Sequence, residues 1–196
     1  MGQIHALLNH LLPGYVADSS VANSPRPRVR IWCAACATGE EPLTIAIALA
    51  EAGWWERADI QIFASDASAA ALAKARQNQF RERSFRALPA RLREKYFTSE
   101  SNVWRVNSDL FSRVTWAQAN LIEAADIQEL VQTQFLFCRN VFIYFAAETI
   151  ARTLRLFSQG MVRPGYLFVG AAESLLKLTD EFELTEVGDA FLYALK

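Results

Sequence analysis

Three clusters carry residue types that could do chemistry. The first is Arg30-Ile-Trp-Cys-Ala-Ala-Cys-Ala-Thr-Gly-Glu-Glu-Pro42, an apolar strand that runs into a loop of small residues and then into a helix pattern. Small side chains let the backbone approach a ligand closely, and the new helix offers unpaired N–H groups at its start. In an α/β sheet this turn holds a nucleoside-like ligand, or it is a plain strand–helix turn. It has one glycine, Gly39, and no lysine, so it is neither a three-glycine dinucleotide loop nor a phosphate-cradling loop. Asp66, one βα unit downstream, could accept hydrogen bonds from two ribose hydroxyls or cap the helix that follows. Arg139-Asn140, at the end of a central apolar strand, and Tyr144 form the third cluster. A buried arginine there needs a partner or an anionic ligand, unless these polar tips simply reach out of the core. Cys33 and Cys36 make a C-x-x-C, but Cys138, His5 and His10 do not complete a metal set at ligand spacing, so no metal is expected.

The elements that position these clusters follow from hydrophobic periodicity. Ile4, Leu7, Leu8, Leu11 and Leu12 predict a helix ended by Pro13-Gly14, and the Ser/Asn/Pro-rich run from Asp18 to Pro27 predicts a linker. Residues 1–28 are therefore set apart from a main domain over 29–196. Val29–Ala34 and Ile60–Ala64 read as strands, and Glu40–Ala52 and Ala69 to about Asn78 as helices. That alternation predicts parallel βαβ units. Pro89–Phe97 suggests a short helix, while Val103–Val106 and Phe111–Ala117 alternate as strands, so an inserted helix and β-hairpin is expected over about 86–118. The frame resumes with the buried strand Phe135–Cys138, a helix over Ala147–Gln159 and the strand Tyr166–Val169. Phe182–Val187 and Phe191–Leu195, joined by Gly188-Asp189, predict an antiparallel hairpin closing an otherwise parallel sheet.

Composition bounds the setting. The 196 residues suffice for one domain with a full core, and 52% hydrophobic with 21% charged residues is ordinary for a globular protein. A net charge of −1 suggests neither nucleic acid nor membrane as partner. There is no transmembrane run or signal peptide, and an odd set of three cysteines fits a reducing cytoplasm. One stretch departs from the average. Lys74, Arg76, Arg81, Arg83, Arg86, Arg91, Arg93 and Lys95, offset by Glu82 and Glu94, carry about +6 and form a solvated face or a docking site.

Taken together, several motifs carry a family resemblance. Ile-Trp-x-x-x-Cys-Ala-Thr-Gly-Glu-Glu-Pro (31–42), Ala64-Ser65-Asp66, Ala119-Asn120-Leu121, Phe137-Cys-Arg-Asn-Val-x-Ile-Tyr-Phe145, Arg163-Pro-Gly-Tyr-Leu-Phe168 and Gly170-x-x-Glu-Ser174 resemble the CheR-type chemotaxis receptor methyltransferases, in the family's order. The resemblance implies a Rossmann-like class I methyltransferase: a mostly parallel seven-stranded sheet, an antiparallel C-terminal hairpin and a small inserted β-subdomain. It implies methyl transfer from S-adenosylmethionine to glutamate carboxylates on the cytoplasmic helices of methyl-accepting receptors; the chain is expected to act as a monomer. By position, Ala35 and Glu40 would line the methionine part of the cofactor, Asp66 the ribose, Asn120 and Leu121 the adenine end, and Asn140 the pocket floor. Arg139 and Tyr144 would sit near the transferred methyl and the incoming carboxylate.

The chain departs from the pattern in three places. It shows no counterpart of the family's N-terminal helical domain or of its Asn/Thr-x-Phe-Phe-Arg motif. The family's Gly-His-Ser-Glu-Ser is Gly170-Ala-Ala-Glu-Ser174, and its Phe-Asp before the fourth strand is Thr133-Gln134. These departures favour a rival to an active enzyme, a CheR-like module that binds S-adenosylmethionine without methylating, or else a shortened piece of a complete enzyme; a third reading, a nicotinamide-dependent oxidoreductase, is disfavoured by the single loop glycine and the family motifs.

Overall fold

The structure, a computed structural model, describes residues 2–18 and 26–196. Its centre is strand β1 (Arg28–Ala34), whose Ile31, Trp32 and Cys33 are fully buried. A strand covered on both faces must be apolar throughout, which is why this one does not alternate. Helix α1 (Glu40–Glu51) follows and leads to β2 (Asp59–Asp66), then α2 (Ala69–Arg76). Strands β3 (Phe97–Glu100) and β4 (Val103–Val106) form a separate antiparallel pair, preceded by α3 (Ala90–Tyr96). The chain returns with β5 (Val114–Gln118), β6 (Phe135–Phe137), α4 (Ala147–Gly160), β7 (Tyr166–Phe168) and the hairpin β8 (Phe182–Val187) and β9 (Ala190–Leu195).

The main sheet has seven strands in the order β5-β2-β1-β6-β7-β9-β8, parallel except where β9 joins β7 and β8. The expected sheet and its antiparallel closure are therefore present. From β1 the chain moves outward through β2 to β5, then crosses back to β6 on the other side of β1. The order reverses at β1, and the crevice beyond the carboxyl ends of β1 and β6 is where open α/β sheets take ligands. Register lines those ends up: Ala34 lies beside Ser65, Asp66 beside Gln118, and Cys33 beside Phe137.

Side-chain packing and hydrogen bonds tie these strands together along their length. Phe137 stacks on Phe168 across β6 and β7 with centroids 4.1 Å apart, and the buried Trp32 indole donates to Ser65 Oγ at 2.9 Å. Gln134, one of the residues departing from the family's Phe-Asp, braces β1. Its amide oxygen accepts from Arg30 N at 2.8 Å and its amide nitrogen donates to Tyr15 Oη at 3.0 Å.

Three details differ from the sequence expectation. The N-terminal helix does not end at Pro13-Gly14 but runs on to Ala17. A π-turn over Leu7–Leu11, with Leu12 N bonded to Leu7 O, precedes the proline and shifts the ladder, so the ring is accommodated at the start of the next segment. That helix buries Ile4, Leu7, Leu8, Leu11 and Leu12 in the same core as β1, and residues 19–25 of the expected linker lie outside the described residues. The alternating stretch 111–117 does not pair with the hairpin. Asn107 caps a helical turn over Ser108–Phe111, and β5 joins the main sheet beside β2. The hairpin instead pairs β3 with β4, turning at Ser101 and Asn102, both in the left-handed region.

Candidate functional site

The loop after β1 is built from backbone geometry that small residues tolerate. Ala35 and Ala37 lie in the left-handed region at φ 57° and 49°, and Gly39 at φ 92°. A Cβ on Gly39 would come within 2.7 Å of the Trp116 ring, so conformation and close packing both demand glycine. Cys36 N donates to Ser65 O at 2.8 Å and Ala37 N to Asp66 Oδ2 at 2.9 Å, which lashes the β1 loop to the end of β2. The other Asp66 oxygen accepts from Ser68 N at 2.8 Å. Ser68, not Asp66, is the cap of α2, its hydroxyl accepting from Ala71 N. Each Asp66 oxygen uses one acceptor position and keeps another, so the half-buried carboxylate can still receive hydroxyl donors.

Glu40 and Glu41 open α1 and point to different neighbours. Glu40 accepts from Thr38 Oγ1 at 2.6 Å and from Ser84 Oγ at 3.0 Å. Beside it lies a cleft of about 360 Å³ whose walls include Thr38, Lys74, Arg81, Arg83 and Ser84. Glu41 forms an ion pair with Arg139 Nη1 at 2.9 Å. Burial pushes the Glu41 carboxyl above its usual range, and Arg139 pulls it back.

Beyond β6 the chain turns sharply. Cys138 N still pairs with Phe168 O at 2.9 Å, but Arg139 and Asn140 are exposed, with Asn140 at φ 60°. The expectation of a buried arginine is thus corrected. The strand ends at Phe137, and the Arg139 side chain is 37% exposed because the turn lifts it off the sheet. Glu173 holds this turn. Its carboxylate accepts from the backbone N–H of Asn140, Val141 and Phe142, each at 2.8 Å, and of Gly170 at 2.6 Å. A Cβ on Gly170 would approach Asn140 Nδ2 and Glu173 Oε2 to 2.8 Å, so glycine lets the two loops close. Tyr144 ends a 3-10 turn over Phe142–Tyr144 and is 80% exposed. Asn120 follows β5, where Ala119 N bonds to Asp66 O at 3.2 Å, and Asn120 Oδ1 accepts from Ile122 N at 3.4 Å. Leu121 is buried in the core with Trp32 and Ile127.

The structure thus gathers Ala35, Glu40, Asp66, Asn120, Arg139 and Asn140 at one sheet edge, with Leu121 beneath it and Tyr144 at an exposed turn. Glu41, Ser84 and Glu173 are the partners that sequence reading missed as such. The second acid of Glu40-Glu41 and the acid of Gly170-x-x-Glu were visible, whereas Ser84 carried no signal. Burial holds all three thiols protonated, pushing Cys36 up to about 12 and Cys33 and Cys138 well above the ordinary value. Among the described residues no His/Cys/Asp/Glu group is arranged to hold a metal, and no helix is long and apolar enough to cross a membrane.

The basic stretch divides. Arg91 and Lys95 pair with Glu51 at 2.7 and 2.6 Å, and Arg93 pairs with Glu82 at 2.7 Å while its guanidinium lies over Trp104. Lys74, Arg81 and Arg83 are exposed and line the cleft beside Glu40.

Comparison with known proteins identifies the family. The profile of the family "CheR methyltransferase, SAM binding domain" matches residues 4–191. Chemotaxis protein methyltransferase 2 of Vibrio cholerae serotype O1 is 32% identical over 188 residues, covering 94% of this chain and 63% of that protein. Chemotaxis protein methyltransferase 1 of Pseudomonas aeruginosa is 33% identical over 176 residues, covering 86% of this chain and 63% of that protein. The chain therefore spans a little under two thirds of the length of these two relatives. Among solved structures, a TehB-like SAM-dependent methyltransferase from Corynebacterium glutamicum superposes with a TM-score of 0.50 at 13% identity, covering 97% of this chain and 96% of that one, a likeness of fold. The motifs, the sheet order and the profile match agree: this chain belongs to the CheR methyltransferase family, as its S-adenosylmethionine-binding domain.

Proposed function

We propose that the chain binds S-adenosylmethionine at the carboxyl edge of β1, β2 and β5 and transfers its methyl group to glutamate carboxylates of chemoreceptor helices. One observation carries this reading. Asp66, with acceptor positions to spare on both oxygens, lies bonded to a left-handed small-residue loop, and Arg139 meets that loop's helix from the other side of the switch point. The residues fit the cofactor's chemistry. Asp66 suits a ribose diol, Ala35 and Ala37 permit close approach, and Asn120, one residue past the Ala119 N–Asp66 O bond, is assigned to the adenine end. When bound, S-adenosylmethionine supplies a methyl carbon that a carboxylate oxygen can attack, the C–S electron pair staying on sulfur to give the methyl ester and S-adenosylhomocysteine.

No proton has to move, because a glutamate is already ionised at neutral pH. The work of the site is alignment and exclusion of water. Arg139 and Tyr144 orient the incoming carboxylate, Glu40 and Asp66 hold the cofactor, and Asn140 shapes the floor between them. The cationic residues of 74–95 and the β3–β4 hairpin dock the acidic receptor helix, with the chain acting as a monomer in the cytoplasm. Calorimetry with S-adenosylhomocysteine, combined with a methyl-transfer assay on receptor helix fragments, tests the reading. Binding with base-labile methyl ester formation supports it. Binding without transfer reduces the chain to a cofactor-binding module, and absence of binding sinks the proposal.

A further inference from the structure

Arg139 raises a problem that its own neighbourhood answers. A free guanidinium facing the substrate carboxylate would stabilise the anion of the ground state. In the transition state that charge is being consumed, because the product ester is neutral. An interaction stronger with the ground state than with the transition state lowers turnover. The guanidinium is not free. Glu41, in the first turn of α1 and 21% exposed at its side chain, pairs with Nη1 at 2.9 Å. Arg139 makes no other hydrogen bond among the described residues, so its remaining N–H donors are available. The pair also spans the switch point, joining the helix that follows the cofactor loop to the turn that follows β6.

We infer that Glu41 is the positioning residue of Arg139: it fixes one edge of the guanidinium and offsets its charge, so the substrate carboxylate is oriented without being held as an anion. This rests on the reading that Arg139 meets that carboxylate. Arg28 with Asp59, a loose 3.7 Å pair between two well-exposed side chains, contributes little, whereas Glu41 and Arg139 meet at 2.9 Å with the acid only 21% exposed.

The test compares two receptor helix peptides, one with glutamate at the methylation position and one with glutamine, for binding to the chain loaded with S-adenosylhomocysteine. The wild-type chain should prefer glutamate only weakly. Glu41→Gln keeps the shape and an acceptor but removes the charge, and should raise that preference about tenfold. In methyl transfer the same variant should lower KM and kcat together, whereas a merely structural lesion would lower kcat or raise KM. Glu41→Asp keeps the charge and shortens the arm. It should leave the glutamate preference at the wild-type level while kcat falls, and it carries the test if Glu41→Gln does not fold. S-adenosylhomocysteine affinity should stay the same throughout. An unchanged peptide preference in Glu41→Gln, or a raised one in Glu41→Asp, overturns the inference. Failure of the wild-type chain to transfer methyl while Glu41→Gln still shifts the preference would overturn the enzymatic reading and leave the positioning role standing.

Discussion

The two halves of the site are built differently. On the β1–β2 side the backbone is held by its own short loop: Ala37 N donates to Asp66, and Ala35 and Ala37 are left-handed, all within one βα unit and its neighbour. On the β6 side the turn has no such economy. Four backbone N–H groups converge on the single carboxylate of Glu173, while Arg139 and Tyr144 project outward. In the proposed function the first half presents fixed polar atoms to the cofactor. The second fixes its backbone through Glu173 and one edge of the Arg139 guanidinium through Glu41, and leaves Tyr144 exposed, which in the proposed function faces the receptor helix.

That contrast can be broken by substitution. The largest effect is expected at Glu173→Ala, which leaves several N–H groups without their acceptor. Unfolding in urea should show a loss of about 3 kcal/mol, with turnover abolished. Glu173→Gln, which retains an acceptor oxygen, should lose less. Arg139→Ala should next reduce methyl transfer by about a hundredfold while S-adenosylhomocysteine affinity changes by less than about twofold. Asp66→Asn should act on the opposite half, weakening S-adenosylhomocysteine by about tenfold in calorimetry. The smallest effect is expected at Glu51, which belongs to neither half. Lys95, Arg91 and Tyr96 hydrogen-bond its carboxylate and lower it from 4.5 to about 2. The folded value is the depressed one, so its contribution is fully present above about pH 4.5 and is lost as the pH falls toward 2. Because Lys95 and Arg91 are solvent-exposed, Glu51→Gln should cost no more than about 1 kcal/mol at pH 7, and the difference from wild type should vanish as the pH falls below about 2.

Much of the first half was legible in the sequence, because its information is local. The apolar run of β1, the small residues after it and the acid ending β2 lie within one βαβ repeat, and hydrophobic periodicity places each. The second half was legible only as a motif. Nothing near Arg139 announces that its partner is Glu41, 98 positions earlier, or that the turn hangs from Glu173, more than 30 positions later. The burial expected for Arg139 failed because periodicity marks an apolar run but not the residue at which the chain leaves the sheet. The same limit misplaced the stretch 111–117. Alternation says that a strand exists but not which edge receives it, and only the pairing with β2 decides. Pro13 misled for a different reason, since a π-turn one residue ahead of it is not encoded in any local preference.

The division of labour between the two halves is the central claim, and one paired measurement tests it. S-adenosylhomocysteine affinity and methyl-transfer rate on receptor helix fragments should be measured for Arg139→Ala and Asp66→Asn from matched preparations. The account predicts that Arg139→Ala loses turnover at unchanged affinity, and that Asp66→Asn loses affinity but regains rate at saturating cofactor. Proportional loss of both quantities in both variants would contradict it.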